Sequence, residues 1–305
     1  MRNISKYMII SFSLVLYWTN NSLGQGCSDA GFCTINSFKP SQEDTTKSKN
    51  NQCKIGGFFG SADHDIAVYG GYIEYNRQLS DKMGVDVKLT TIAQNGNDIS
   101  VFGISDLFLN VNYKANKNLS FTLGTKLPFN TADQTQENNP LPMDYQSSLG
   151  TFDLIFGLGY TIHKLHIVAA IQQPLTQNDN QFLAIKYPTP HPFSNFQTTN
   201  NFTRASDILL RISYPVPLSQ KLSLTPSLLP IYHLANDKYT DDLGIEKEID
   251  GSLGLTLNGN VYLDYEISTN NFIQLNAGMP FVVRDARPDG LTRSFIANVE
   301  YRMRF

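Results

Sequence analysis

The chain has 305 residues, and its 24 Lys plus Arg against 27 Asp plus Glu leave a formal net charge of −3. That balance provides no basic surface of the kind that holds nucleic acid, so no nucleic-acid partner is expected. Charged residues are 17% of the chain, against roughly 25% in an ordinary soluble domain, and neutral polar groups stand in their place.

In chain order, MRNISKYMIISFSLVLYWTNNSLG comes first. Arg2 and Lys6 precede an apolar run over 7–18 that is too short to cross a bilayer as a helix, and Ser22-Leu23-Gly24 is a small-x-small triplet. The pattern predicts a secretory signal over 1–24, cleaved after Gly24. No later stretch has the length and apolarity of a transmembrane helix, so an exported product is either soluble or enters a membrane as strands.

Residues 25–52 form an N-terminal segment with Cys27 and Cys33, followed by Cys53. In an oxidising compartment two of the three should pair. One account closes a small loop between Cys27 and Cys33; the other lipidates Cys27 and leaves Cys33 and Cys53. No His-rich spacing accompanies them, so no metal or other cofactor is expected. Residues 35–52 are poor in side chains that pack and read as a linker or loosely held stretch. On the periplasmic side the segment could also lie inside a barrel as a plug.

From Cys53 to the C-terminus short segments of alternating polarity recur with turn signals between them. In 104–113, Leu107, Leu109, Val111 and Tyr113 oppose Asp106, Asn110 and Asn112. The stretches 119–127, 152–160, 207–214 and 257–267 repeat the rhythm, as do 84–92, 221–232 and 271–282. The last segment, SFIANVEYRMRF, sets Phe295, Ala297, Val299, Tyr301, Met303 and Phe305 against Ser294, Asn298, Glu300, Arg302 and Arg304. Successive strand side chains point to opposite faces, so each segment has one apolar and one polar face.

About twelve such strands are expected between 53 and 305, an even number, joined alternately by tight turns and by long segments near 131–149, 176–204 and 233–249. That asymmetry predicts an all-β fold: a closed antiparallel transmembrane β-barrel with short periplasmic turns and long extracellular loops, placed in the bacterial outer membrane. Its apolar set would face lipid, and closure would satisfy every strand edge. Tyr113, Tyr160, Tyr214, Tyr265 and Tyr301 would form an interfacial girdle. Terminal Phe305, with apolar or aromatic residues at 303 and 301, resembles the C-terminal signal read by the barrel assembly machinery. The competing reading is a soluble all-β protein with the apolar faces in a dry core.

Residues 101–130 and 147–162 carry Gly103-x-x-Asp106-Leu107, then Lys126-Leu127-Pro128, then Leu149-Gly150-Thr151-Phe152-Asp153. These motifs resemble those of the MetA-pathway phenol-degradation family of outer-membrane proteins. The resemblance implies a barrel distantly similar to the fatty-acid-type transporters, associated with uptake of hydrophobic or aromatic compounds. The cysteine-bearing N-terminal segment and the Asn/Gln-rich third loop depart from it.

Alternation assigns Asp86, Lys88, Asp106, Lys126, Asp153, Asp207, Arg211, Asp264, Glu266, Glu300, Arg302 and Arg304 to the lumen. Charges of both signs in a narrow barrel form either a structural ion-pair lattice or the lining of a permeation path. In the long loop 178–202, Phe182, Tyr187, Phe193, Phe196 and Phe202 either offer an apolar landing site at the mouth or pin the loop to its neighbours. The five histidines, His64, His163, His166, His191 and His233, come with no Gly-x-Ser-x-Gly elbow and no metal-ligand spacing, so no catalytic residues and no enzyme are expected. The expectation is a channel or transporter that binds outer-membrane lipid and passes small, hydrophobic or aromatic, solutes. The alternatives are a structural or adhesion barrel that displays its loops and, more distantly, a membrane-embedded hydrolase.

Overall fold

The structure, a computed structural model, describes residues 34–40, 50–289 and 294–305. The signal peptide, its cleavage point and the Cys27–Cys33 pairing lie outside the described residues. Twelve strands make up the barrel: β1 (Asn51–Ser61), β2 (Ala67–Gln78), β3 (Met83–Gly96), β4 (Ile99–Lys114), β5 (Leu119–Pro128), β6 (Asp153–Ile162), β7 (Leu165–Pro174), β8 (Asp207–Ser213), β9 (Leu222–His233), β10 (Gly254–Ser268), β11 (Asn271–Val282) and β12 (Phe295–Arg304). Each pairs antiparallel with its neighbour in sequence, and β1 pairs with β12 over a register running from Gln52↔Arg304 to Ser61↔Phe295. The sheet is therefore a closed ring, with a two-residue strand at Val216–Pro217 appended to β9.

Alternation decides which way each strand faces. Ile55, Ile73, Leu123 and Val299 are exposed, while Lys54, Glu74, Thr122 and Glu300 beside them in sequence are buried. An apolar exterior around a polar interior inverts a soluble protein, and a closed barrel of this kind is a bacterial outer-membrane protein. Tyr113, Tyr160, Tyr214, Tyr265 and Tyr301 are all exposed near the short-turn end. Phe59, Tyr69, Phe102, Tyr232 and Phe281 form the matching exposed set toward the other end, giving the two aromatic girdles of a transmembrane barrel.

Two interruptions of the ladder have local causes. Between Leu89 and Thr91 the β3–β4 register shifts, and Ser105 and Asp106 of β4 both become buried, so above this bulge Phe102 and Ile104 face outward in a switched parity. The β8–β9 ladder skips from Leu209↔Ile231 to Ile212↔Leu228, where β9 carries Pro230, which cannot donate a backbone hydrogen bond. At the short-turn end β6 and β7 are joined by two residues, His163 and Lys164, with His163 at φ 55°. At the opposite end lie the long connections 129–152, 175–206 and 234–253.

Candidate functional site: the filled lumen

Residues 34–40, in a stretch expected either as a loosely held linker or as a plug, lie inside the barrel. Ile35 and Phe38 are each 1% exposed and pack with Phe108, Ile155, Val168, Ala170, Leu209, Leu229 and Ile231. These wall residues come from β4, β6, β7, β8 and β9, so that side of the lumen is apolar. Gly157 of β6 leaves the space that the Phe38 ring takes up: a Cβ added there would overlap the ring.

The other face of the segment meets a charged wall. Thr34 accepts from Lys88 Nζ through its hydroxyl, Asn36 Oδ1 accepts from Lys54 Nζ, and Lys39 Nζ donates to Glu300 Oε2 at 2.9 Å and to Tyr72 Oη at 3.3 Å. Tyr72 donates to the same Glu300 oxygen at 2.6 Å. Lys39 Nζ also lies 5.1 Å from the centre of the Tyr72 ring, and Lys88 Nζ lies 4.4 Å from it, within cation–π range. The segment is thus amphipathic in the sense its surroundings require, with Ile35 and Phe38 toward one half of the lumen and Thr34, Asn36 and Lys39 toward the other.

The lumen candidates read from alternation fall into four groups. Around the segment, Lys54 pairs with Glu74 at 3.1 Å, Asn76 donates to Glu74 and Asp86, and Arg302 lies 3.2 Å from Glu300 and 3.7 Å from Asp264. Arg211 donates to Tyr262 Oη at 2.9 Å. Toward the outer loops, Lys126 pairs with Asp153 at 3.1 Å, and Asp106 accepts from Ser148 at 2.6 Å. At the outer ends of β8 and β9, Asp207 is held by Arg204 and by His233 Nδ1, whose Nε2 meets Asp237 at 2.7 Å; Arg284, paired with Asp289 at 2.9 Å, joins through Asp237 at 4.0 Å. Glu266 and Arg304, near the short-turn end, are half-buried, and Arg304 stacks 4.7 Å from the Phe272 ring centre. Inside a narrow barrel, pairing offsets the cost of burying each charge.

Between the segment and β8, β10, β11 and β12 remains a cavity of about 20 Å³, lined by Thr34, Lys39, Arg211, Asn260, Tyr262, Asn298 and their neighbours. That is room for about one water.

The outer mouth is covered. Phe182, Phe193 and Phe196 of the 178–202 loop are buried with Leu141, Tyr145, Ile66 and Ile92, and Tyr187 packs against them half-buried. Phe193 meets Phe182, Phe196 and Tyr187 edge-on at 5.2–5.6 Å. Phe202 sits in a separate cluster with Ala132, Met143, Leu149 and Ile249. Asn180 Nδ2 donates to Ala132 and Leu141 carbonyls and so lashes this loop to 131–141. All five aromatics thus contact neighbouring loops. Burial pushes the Asp144 carboxyl, in the loop beneath, up to about 7, lowers His64, and raises the Tyr145 phenol.

Sequence reasoning missed Lys54, Tyr72 and Glu74, although the same alternation carried into β1 and β2 places all three inward. It also missed the apolar wall, because Ile155, Leu209 and Leu229 are apolar residues at inward positions of strands already apolar outside, where alternation gives no contrast.

No protein-family model matches this sequence, and no curated protein matches it. Among solved structures, the COG4313 outer membrane channel from Pseudomonas putida F1 superposes with a TM-score of 0.58 at 12% identity, covering 88% of this chain and 99% of that one. The NanC porin gives 0.47 at 9% identity over 83% and 98%, and the Pseudomonas putida toluene transporter TodX 0.44 at 11% over 93% and 96%. At these identities the likeness is one of fold.

Proposed function

We propose that this barrel is an outer-membrane channel or transporter for small solutes, closed in the state described here by residues 34–40. The observation that carries the reading is that the lumen is filled by a short segment, while the wall opposite it is cut back to Gly157 and Ala170. A barrel built only as a scaffold fills its interior with its own inward side chains. Here the filler is a separate stretch that can withdraw without breaking a strand.

The apolar half of the lumen, with Phe108, Ile155, Leu209 and Leu229, suits hydrophobic or aromatic solutes. This agrees with the class implied by the motif resemblance at 101–130 and 147–162. The Pseudomonas putida F1 barrel of similar fold is an outer membrane channel.

The test is conductance in planar bilayers of the exported chain beside a form lacking residues 34–40. Steady current only in the shortened form supports a gated pore. Silence in both overturns the channel reading and leaves a structural barrel that displays its outer loops.

A further inference from the structure

Taking residues 34–40 as a displaceable closure, as above, we infer that the place held by Phe38 and Lys39 is a binding site for an organic ammonium cation bearing an apolar group, and that such a ligand competes the segment out. The acceptors around the Lys39 ammonium all belong to the wall: the Glu300 carboxylate at 2.9 Å, the Tyr72 hydroxyl at 3.3 Å and the Tyr72 ring face at 5.1 Å. Carboxylate, phenol oxygen and π face together are an acceptor set suited to an alkylammonium. The segment supplies the ligand and the barrel supplies the site.

The next residue back fills the other half. The Phe38 ring occupies the recess over Gly157, bounded by Ile155, Val168, Ala170 and Leu209. Phe38 and Lys39 thus present an aromatic ring and a primary ammonium as one unit across the lumen, and a free molecule with both groups reproduces both contacts.

Charge decides the class. Glu300 is 2% exposed and accepts from Tyr72 and Arg302 as well as Lys39. A neutral solute would remove one cation from a buried carboxylate, and an anion would add repulsion from Glu300 and nearby Glu74; both are costly in this setting. Lys88 Nζ already lies 4.4 Å from the centre of the Tyr72 ring, so a ligand with a second positive charge would meet repulsion there.

The experiment uses the full exported chain in detergent and in bilayers, with 2-phenylethylammonium, 2-phenylethanol and phenylacetate at equal concentrations. Hydrogen exchange of the 34–40 amides is read by mass spectrometry, and opening frequency by conductance. The ammonium compound is expected to accelerate exchange in 34–40 by about ten-fold over the alcohol and the acid. Glu300→Gln should abolish that preference; should this variant fail to assemble, Tyr72→Phe, which removes only the hydroxyl acceptor, should reduce it. Equal effects of all three probes, or none from any, overturn the ligand class. A 34–40 deletion that stays silent overturns the channel reading instead, and the exchange comparison still decides the ligand.

Discussion

Gly157→Ala is expected to unseat the closing segment without harming the barrel. The new methyl would occupy the volume of the Phe38 ring, and that ring is hemmed in by Phe108, Ile155, Val168 and Leu209, so it cannot shift locally. Ala170 Cβ stands 3.5 Å from the added atom, an ordinary contact, and the wall itself accepts the change. Alanine is no worse than glycine in a strand. Losing the burial of one Phe side chain costs about 1.5–3 kcal/mol, and since each 1.4 kcal/mol is ten-fold, the docked-to-released ratio of the segment should fall by about 10- to 150-fold. Single-channel recording of Gly157→Ala, Phe38→Ala and the double variant provides the assay. The double variant should resemble Phe38→Ala, because the added methyl fills space the ring has left, so the two effects are non-additive. Gly157→Ala that is as silent as the parent, while the 34–40 deletion conducts, would refute the reasoning.

Other outcomes follow from the exterior and the cap. Leu123→Arg puts a charge at an exposed mid-strand position of β5 and should lower folding stability in lipid by about 2–4 kcal/mol, measured by urea refolding into vesicles. Phe193→Ala should loosen the loop cap by about 3–5 kcal/mol locally, read as faster protease nicking within 178–202 with the heat resistance of the barrel unchanged. The Asp144 carboxyl is raised from 3.8 to about 7 in the folded loop. The folded form then holds the proton more tightly, so its contribution to loop stability is fully present below about pH 4 and is lost as pH rises through about 7. Nicking of the cap should increase over that window in the parent and be flat in Asp144→Asn.

The architecture was legible because lipid outside and charge inside enforce a period of two, which residues such as Tyr265-Glu266-Ile267 display without ambiguity. Ten of the twelve charged positions assigned inward from that pattern are buried. The bulge at Ser105 and Asp106 switches the parity above it, and nothing in the local composition announces a one-residue insertion. The segment was legible only as one of two alternatives, linker or plug, for a different reason. Ile35 and Phe38 are two apolar residues among polar ones, and their burial is decided by a wall more than a hundred residues away, at Gly157 and Leu209. A linker and a lumen segment have the same composition when only two side chains do the packing. The loop aromatics gave a clear signal of burial or binding, but only the geometry around Phe193 showed which neighbours they meet.

Lys39 and Glu300 are 261 positions apart, and this separation bears on assembly. The recess for Phe38 is built from β4 and β6 to β9, whereas Glu300 lies on β12, the strand whose pairing with β1 shuts the ring. Until then β1 and β12 expose unpaired edges, and long-range pairing of this kind is slow to form. The ring contact thus draws on β4 and β6 to β9, and the ammonium contact needs the closing strand as well. Sealing of the cylinder and locking of its lumen thus depend on one and the same strand.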